Sequence, residues 1–430
     1  MGCDTLVALG TVTSDGVALL AKNSDRPPRE CQRIVRIPRR SNPVGARLRC
    51  QYIEVPEVAE TATVLGSQPY WLWGLEHGVN QHRVAIGNET VFAKELLGPV
   101  GLTGMDLVRL GLERARTATE ALEVMVDLIE THGQGGSGHV HLDWPYHNGF
   151  LIADPTSAWI LETSDRHWAA RRVPDVGNVS NGLALGTDWE RGAVDLTSFA
   201  VGRGWWTPEQ GKVDFAAAYA DDGTVPPNLC VERRRRGATL LDGLRGRASA
   251  SALRGVLRDH YDAGPASRPD DFTDPHFFAL CMHADPLDNT TAGMVARLPI
   301  DPTEPAAAWM CLGSPCVGAF LPCYVDAEVP AVLGVGGAEV DRRGPWWRTR
   351  ELLTLVERDP RRWGPHVRAC WDPFEEALAW EAVDVEAAAR VARQAGDAAK
   401  AAAGLGAFTA RATTAWMERL EGLIAELARA

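Results

Sequence analysis

A cysteine at position 3 leads into a strand-like run, Thr5-Leu6-Val7-Ala8-Leu9. Thr13-Ser14-Asp15-Gly16 follows, and then a second apolar run from Val17 to Lys22. An Asp-Gly pair between two such runs predicts a tight β-hairpin, because glycine supplies the positive φ that the turn requires. The hairpin constrains the start of the fold: its return brings Lys22-Asn23-Ser24-Asp25-Arg26 back beside Cys3.

That placement has a chemical reading. With Met1 and Gly2 removed, Cys3 would carry a thiol of pKa about 8.5 and an α-amine of about 7.7–8.0, a nucleophile and a base on one residue. Lys22 would then favour the thiolate, and Asp25 would hold the α-amine by a charge-assisted hydrogen bond. The plainer reading stays open, since cysteine is often a small, buried strand residue.

At 430 residues the chain can bury a large core, and 45% hydrophobic with 23% charged residues is the balance of an ordinary globular protein. A net charge of −12 argues against a nucleic-acid partner. No apolar stretch approaches the ~20 residues that span a bilayer, so no membrane association is expected. The first residues lack a basic segment followed by an apolar one, which reads as cytoplasmic. The nine cysteines are scattered and odd in number, unlike a disulfide framework.

Strands and helices come in blocks, which favours an α+β sandwich over a doubly wound sheet. Gly104 to Arg114 and Thr119 to His132 have helical apolar spacing, with Thr117 and Glu120 as a capping box and Gly133 as a stop. Leu151 to Ala153, Ala158 to Thr163 and His167 to Val173 read as an antiparallel meander, its first turn at Asp154-Pro155-Thr156-Ser157. Near the end, helices over about 382–402 and 408–428 are expected to pack as a hairpin across Gly404 to Gly406.

Several segments together resemble the secernin family of dipeptidase-like cysteine hydrolases. They are Cys3-Asp4-Thr5, Lys22 to Pro27, Trp73 to Asn80, Ile86-Gly87-Asn88-Glu89, Gly104 to Arg114, His147 to Asp154, Ala158 to Thr163, Asn178 to Asn181 and Cys281-Met282-His283. The resemblance implies the N-terminal nucleophile hydrolase superfamily. Its fold is a four-layer αββα sandwich of two antiparallel sheets between helical layers, here with a C-terminal helical hairpin. Penicillin V acylases and bile-salt hydrolases are similar more distantly.

The same resemblance implies residue roles: Cys3 as nucleophile, Lys22 where relatives often have arginine, Asp25 as partner of the α-amine, and Asn181 as amine and oxyanion residue. Asn88 falls near a second oxyanion contributor. Arg233 is favoured within Arg233 to Arg236 as the relatives' downstream arginine. Residues 1–2 are then a short propeptide, removed by processing that Cys3 itself could carry out through an N-to-S acyl shift. Residues 3–380 form the hydrolase domain, and 381–430 a helical segment packed on it. The implied substrate is a small peptide or amide, with no cofactor; homo-oligomers are common among such enzymes. An acylase of the penicillin V or bile-salt type, and a non-catalytic scaffold with Cys3 blocked, are the alternatives.

Glu76 and Glu89 could bind the free amine of a peptide, although structural carboxylates are the default reading. Two candidate metal sets fall short: Cys311, Cys316 and Cys323 lack paired C-x-x-C knuckles, and His139, His141 and His147 lack a carboxylate at ligand spacing, so no metal is expected.

Overall fold

Residues that alternate in an ordinary half-exposed sheet are apolar on both faces in this chain's central strands, because each sheet is covered on both sides. The computed structural model describes residues 2–430 except Asp222 and Asp262; Met1, half of the expected propeptide, also lies outside the described residues.

The elements run β1 (Cys3–Ala8), β2 (Ala18–Arg26), β3 (Gln32–Ile37), β4 (Arg47–Arg49), β5 (Glu54–Pro56), β6 (Val64–Pro69), β7 (His77–Asn80) and β8 (Ala85–Val91). Helices α1 (Gly104–Arg114) and α2 (Ala118–His132) follow, then β9 (His147–Ala153), β10 (Ala158–Ser164), β11 (His167–Arg172), β12 (Val176–Val179) and β13 (Arg191–Gly192). Next come α3 (Leu196–Gly202), α4 (Phe215–Tyr219), α5 (Arg233–Gly243) and α6 (Ala250–Val256), then β14 (His283–Ala284), β15 (Asp288–Leu298), β16 (Ala307–Leu312) and β17 (Leu321–Tyr324). The chain closes with α7 (Pro345–Val356), α8 (Pro360–Gln394) and α9 (Ala398–Leu427).

Among the described residues the strands form a seven-stranded sheet, β12-β1-β2-β15-β16-β17 with β14 beside β15, and an eight-stranded sheet, β13-β11-β10-β9-β8-β7-β6-β3. A two-stranded ribbon joins β4 and β5. The large sheets face each other, β1 lying against β8 and β9, and β15 against β7. Helices α1 and α2 cover the outer face of the eight-stranded sheet, while α5, α6 and α9 cover the seven-stranded one. The architecture is the four-layer αββα sandwich.

The opening hairpin forms with Cys3 opposite Ser24 and Thr5 opposite Lys22, but its connection is not the tight turn expected: Leu9 to Val17 join the strands and include a 3-10 turn at Gly10–Val12. Gly16 takes φ +75° at its turn, and Lys22 to Arg26 belong to β2 itself. Thr117 caps α2 by accepting from the Glu120 N–H at 3.1 Å, and Gly133 ends it at φ +72°.

The C-terminal helices differ from expectation. The break between α8 and α9 falls at Gly396, φ +80°, with Asp397 capping α9 by accepting from the Lys400 N–H at 2.9 Å. Gly404 and Gly406 lie inside α9, where a glycine costs only ~1 kcal/mol against packing. The boundary expected at 380/381 falls inside α8, which starts at Pro360 and carries Pro365 and Pro373 within it. Those prolines hide the helix from a propensity reading. No helix among the described residues is long and apolar enough to cross a membrane.

Candidate active site

The side chains around Cys3 divide by strand alternation. Asp4 points to the α5 side of β1 and meets Arg233, whereas Thr5 points between the sheets and meets Glu89. Cys3 shares the inward face with Thr5, Lys22 and Ser24, through the cross-strand pairs of the hairpin.

A charged chain converges on the nitrogen of Cys3. That nitrogen donates to Asn181 Oδ1 at 2.9 Å, and the same oxygen accepts from Arg233 Nη1 at 2.9 Å. Arg233 Nη2 bonds Asp25 Oδ2 at 2.5 Å and also pairs with Asp4. The Thr290 hydroxyl donates to Asp25 Oδ1 at 2.6 Å. All of these side chains are buried. One guanidinium thus serves two carboxyls. Burial pushes both carboxyls up against the pull of Arg233, Asp4 to about 7, and they hold Arg233 firmly protonated although burial opposes its charge.

Gly2 is buried against this network. A Cβ placed on it would lie 2.5 Å from Arg233 Nη1, 2.7 Å from Met282 Cε and 3.1 Å from Asp25 Oδ2. Its carbonyl, which belongs to the Gly2–Cys3 peptide bond, accepts from the Asp25 N–H at 3.0 Å.

On the sulfur side, Lys22 Nζ donates to Ser24 Oγ at 2.6 Å and lies 3.7 Å from Glu76 Oε2. Burial works against the lysine charge, but Cys3, Glu76 and Glu89 outweigh it and raise its pKa. The expected thiolate does not follow from this. Burial pushes the Cys3 thiol up to about 12, and Lys22 offsets only part of that. In a chain that still carries Gly2 the sulfur is a protonated thiol, and the nitrogen is a peptide nitrogen with no basic lone pair.

Two expected binding residues are placed differently. Asn88 is one step along β8 from Gly87, whose would-be Cβ meets Lys22 and Thr5 at 2.6 Å. Its side chain therefore points to the outer face, where Nδ2 donates to Asn148 Oδ1 at 3.2 Å under Gly104 of α1. The strand period of two carries Asn88 away from Cys3. Glu89 does face inward, but it is sealed between the sheets with Thr5, and Glu76 is engaged by Lys22 and by Arg26 at 3.6 Å. Neither carboxylate is open to a peptide amine. Asn181 Nδ2 donates to Thr90 O at 2.9 Å, which leaves Oδ1 facing the Cys3 nitrogen.

Three further residues build the site. Asp4 and Thr290 flank the Arg233–Asp25 pair. Glu162 accepts from the N–H groups of Ala184 and Leu185, at 2.8 and 3.0 Å, and anchors the loop after Asn181. Asp4 and Glu162 lie within the Cys3-Asp4-Thr5 and Ala158 to Thr163 stretches that carry the family likeness; Thr290 has no local signal. Arg235 and Arg236 point elsewhere, Arg235 pairing with Glu232 and Arg236 with Asp259, whereas Arg234 lines a cleft beside Asn181.

A cleft of about 240 Å³ reaches Asn181, lined also by Phe92, Leu183, Pro227 and Cys230. A larger cleft, about 680 Å³, lies beside Pro27, His139, Trp347 and Arg350, and none of the Cys3 network lines it.

Comparison with known proteins shows a likeness over the first part of the chain. Residues 2–191 match peptidase family C69. The C69 segment contains Cys3, Lys22, Asp25 and Asn181 and ends before Arg233, so the likeness to dipeptidase-like hydrolases read from the sequence is borne out. Two proteins described as probable dipeptidase A, from Streptococcus pyogenes serotype M3 (strain SSI-1) and serotype M1, are each 31% identical over 145 residues, 32% of this chain and 27% of theirs. The chain spans about a quarter of the length of the curated relatives it matches. Among solved structures, a mutant conjugated bile acid hydrolase from Clostridium perfringens aligns at 13% identity and a TM-score of 0.40, covering 71% of this chain and 88% of that one. Penicillin V acylase from Agrobacterium tumefaciens aligns at 12% identity and a TM-score of 0.42, covering 75% and 86%.

Proposed function

We propose that this protein hydrolyses the C–N bond of small peptides, as a dipeptidase-like enzyme, with Cys3 as both nucleophile and base once Met1 and Gly2 are gone. The observation that carries the proposal is where the buried network points. Asn181, Arg233 and Asp25 converge on the nitrogen of Cys3 and not on its sulfur. A buried ion pair is costly to assemble around a peptide N–H; around a free α-amine it sets the orientation of a general base.

Removal of the leader uses groups already in place. The Cys3 sulfur attacks the Gly2 carbonyl carbon, a C–S bond forms, the C–N bond breaks and the thiol proton passes to the Cys3 nitrogen. Water then hydrolyses the thioester. The Asp25 N–H, 3.0 Å from the Gly2 oxygen, is positioned for the charge that develops there. Gly2 leaves a space beside Asp25 and Arg233.

In turnover, the freed amine takes the thiol proton, the thiolate attacks the substrate carbonyl, and the amine returns the proton to the leaving nitrogen. Water then releases the acyl group. The cleft that reaches Asn181 is the substrate's route in this reading. Buried free thiols at Cys3, Cys311 and Cys323 fit a reducing, cytoplasmic compartment.

Dipeptides, a phenoxyacetyl amide and conjugated bile amides, assayed side by side with wild-type protein and Cys3→Ala, test the reading. Dipeptide turnover by material of mass lacking Met1 and Gly2, abolished in the variant, is expected. Acylase-type turnover alone would move the assignment to that class. Loss of Met1 alone, with no turnover of any amide, would leave a scaffold with Cys3 blocked, a state its burial already fits.

A further inference from the structure

Behind the Asp25 side of the site lies a second cluster of soft ligands that the proposed reaction does not use. His260, Cys281, His283 and Cys316 are all buried, and one ligand atom from each lies within 4.8 Å of the others. His283 Nε2 is 3.1 Å from Cys316 Sγ and 3.7 Å from Cys281 Sγ. The His260 and His283 rings stack at 5.1 Å. Neither ring nitrogen of His260 makes a hydrogen bond of ordinary geometry.

We propose that these four residues bind one structural zinc ion. A tetrahedral zinc, with Zn–S about 2.3 Å and Zn–N about 2.0–2.1 Å, holds its ligands roughly 3.3–3.8 Å apart, which the close pairs already approach. Two thiolates, two neutral imidazoles and a dication sum to zero charge, so the complex can occupy a core without an uncompensated ion. Four protein ligands close the coordination shell, which makes the site structural and not catalytic. Glu357 Oε1, 3.9 Å from His283 Nδ1, is the outer carboxylate that would fix the ring with Nε2 toward the metal.

The backbone around the ligands is held independently of any ion. The Cys281 N–H donates to Asp259 O at 3.1 Å, tying the His260 segment to the Cys281 segment. In the Cys316 loop, Arg258 Nε donates to Pro315 O at 3.0 Å, Trp371 Nε1 to Val317 O at 2.9 Å and Arg368 Nη1 to Gly318 O at 2.7 Å. Local spacing could not reveal the set, because Cys316 joins residues from two distant segments and neither Cys311 nor Cys323.

The zinc would position the active site through Met282, which sits between two ligands. Its N–H donates to Thr290 Oγ1 at 2.8 Å, and that hydroxyl holds Asp25 at 2.6 Å.

Elemental analysis of untagged, full-length protein, purified without chelator from zinc-supplemented cells, tests the site. About one zinc per chain is expected, released when an organomercurial modifies the buried thiols. Protein produced in cobalt should show thiolate-to-cobalt charge transfer and tetrahedral visible bands. His260→Gln should lower zinc content severalfold, and Cys316→Ser should abolish the cobalt charge-transfer intensity from that sulfur. Should either variant fail to fold, the wild-type metal content and cobalt spectrum decide alone. Less than roughly a tenth of an equivalent of zinc in reduced wild-type protein, with no cobalt spectrum, overturns the proposal. So does a Cys281–Cys316 disulfide found by peptide mapping, or a stoichiometric metal other than zinc.

Discussion

Arg233 Nη2 lies 2.5 Å from Asp25 Oδ2 across 208 positions of sequence, and the same guanidinium holds Asn181 Oδ1 at 2.9 Å. Helix α5 therefore contributes its first residue to a hairpin far away in sequence, and the orientation of the Cys3 nitrogen depends on that contribution.

Replacing the guanidinium separates charge from geometry. Arg233→Met leaves Asp4 and Asp25 buried without a counterion and is expected to cost about 3–5 kcal/mol of stability. Arg233→Lys keeps a cation but cannot fork between a carboxylate and an amide oxygen. It should fold and lose roughly a hundredfold or more in kcat with a smaller change in KM. Full activity in Arg233→Lys, measured by steady-state kinetics, would show that charge alone matters.

Asn88 and its neighbour Gly87 test the strand alternation. Asn88→Ala removes a hydrogen bond on the outer face of β8 and is expected to lower stability by about 1–2 kcal/mol while kcat changes only severalfold. Gly87→Ala would press a methyl group into Lys22 and Thr5 at 2.6 Å, so its larger effect falls on activity. A normal melting temperature with kcat lost in Asn88→Ala would return Asn88 to the oxyanion role.

What can be read from the chain follows the range of each signal. The Thr117 cap and the Gly133 stop are local chemistry, and α2 stands where those residues put it; the opening strands pair as expected, but through the longer Leu9 to Val17 connection and not a tight turn at Asp15-Gly16 alone. Cys3, Asp25 and Asn181 lie in segments with a family likeness, and they meet in space. Asn88 departs from its expected place by a single residue, the error to which a period of two is most sensitive. The join between α8 and α9 departs from expectation because a glycine inside a long helix looks like a stop when only its propensity is visible. Thr290 acts through tertiary contacts alone, to which no short stretch of sequence points, and the role of Glu162 as anchor of the Ala184-Leu185 loop is likewise visible only in the fold.

The buried thiol gives a kinetic expectation. In protein retaining Gly2, alkylation of Cys3 should be slow, because burial raises its pKa to about 12 and the residue is 4% exposed. In processed protein the free amine can accept the proton, and Cys3 should label at least roughly tenfold faster. Peptide mapping after a timed pulse of iodoacetamide measures both. Equal rates in the two forms would mean that leader removal does not activate the sulfur.

Glu89 offers a test through pH. Burial raises its carboxyl from 4.5 to about 8, against the pull of Lys22 and the Thr5 hydroxyl. The folded state then binds a proton more tightly than the unfolded chain. The stability this contributes is complete below the unfolded value and lost as pH rises through about 8. Asp4 and Glu162, each raised to about 7 chiefly by burial, act with the same sign at lower pH. Glu89 releases its proton over the interval from about pH 7 to about pH 9, as does His283, held up to about 9 by Cys316 and Glu357 against burial, so the comparison with a Glu89 variant is what separates the two. Over that interval, the unfolding free energy from urea titrations should fall by roughly 1–3 kcal/mol in the wild type. Glu89→Gln keeps an acceptor for Thr5 and has no proton to lose, so its slope over the same interval should be clearly shallower. Identical slopes in the two proteins would mean that Glu89 is already ionised beside Lys22 at neutral pH.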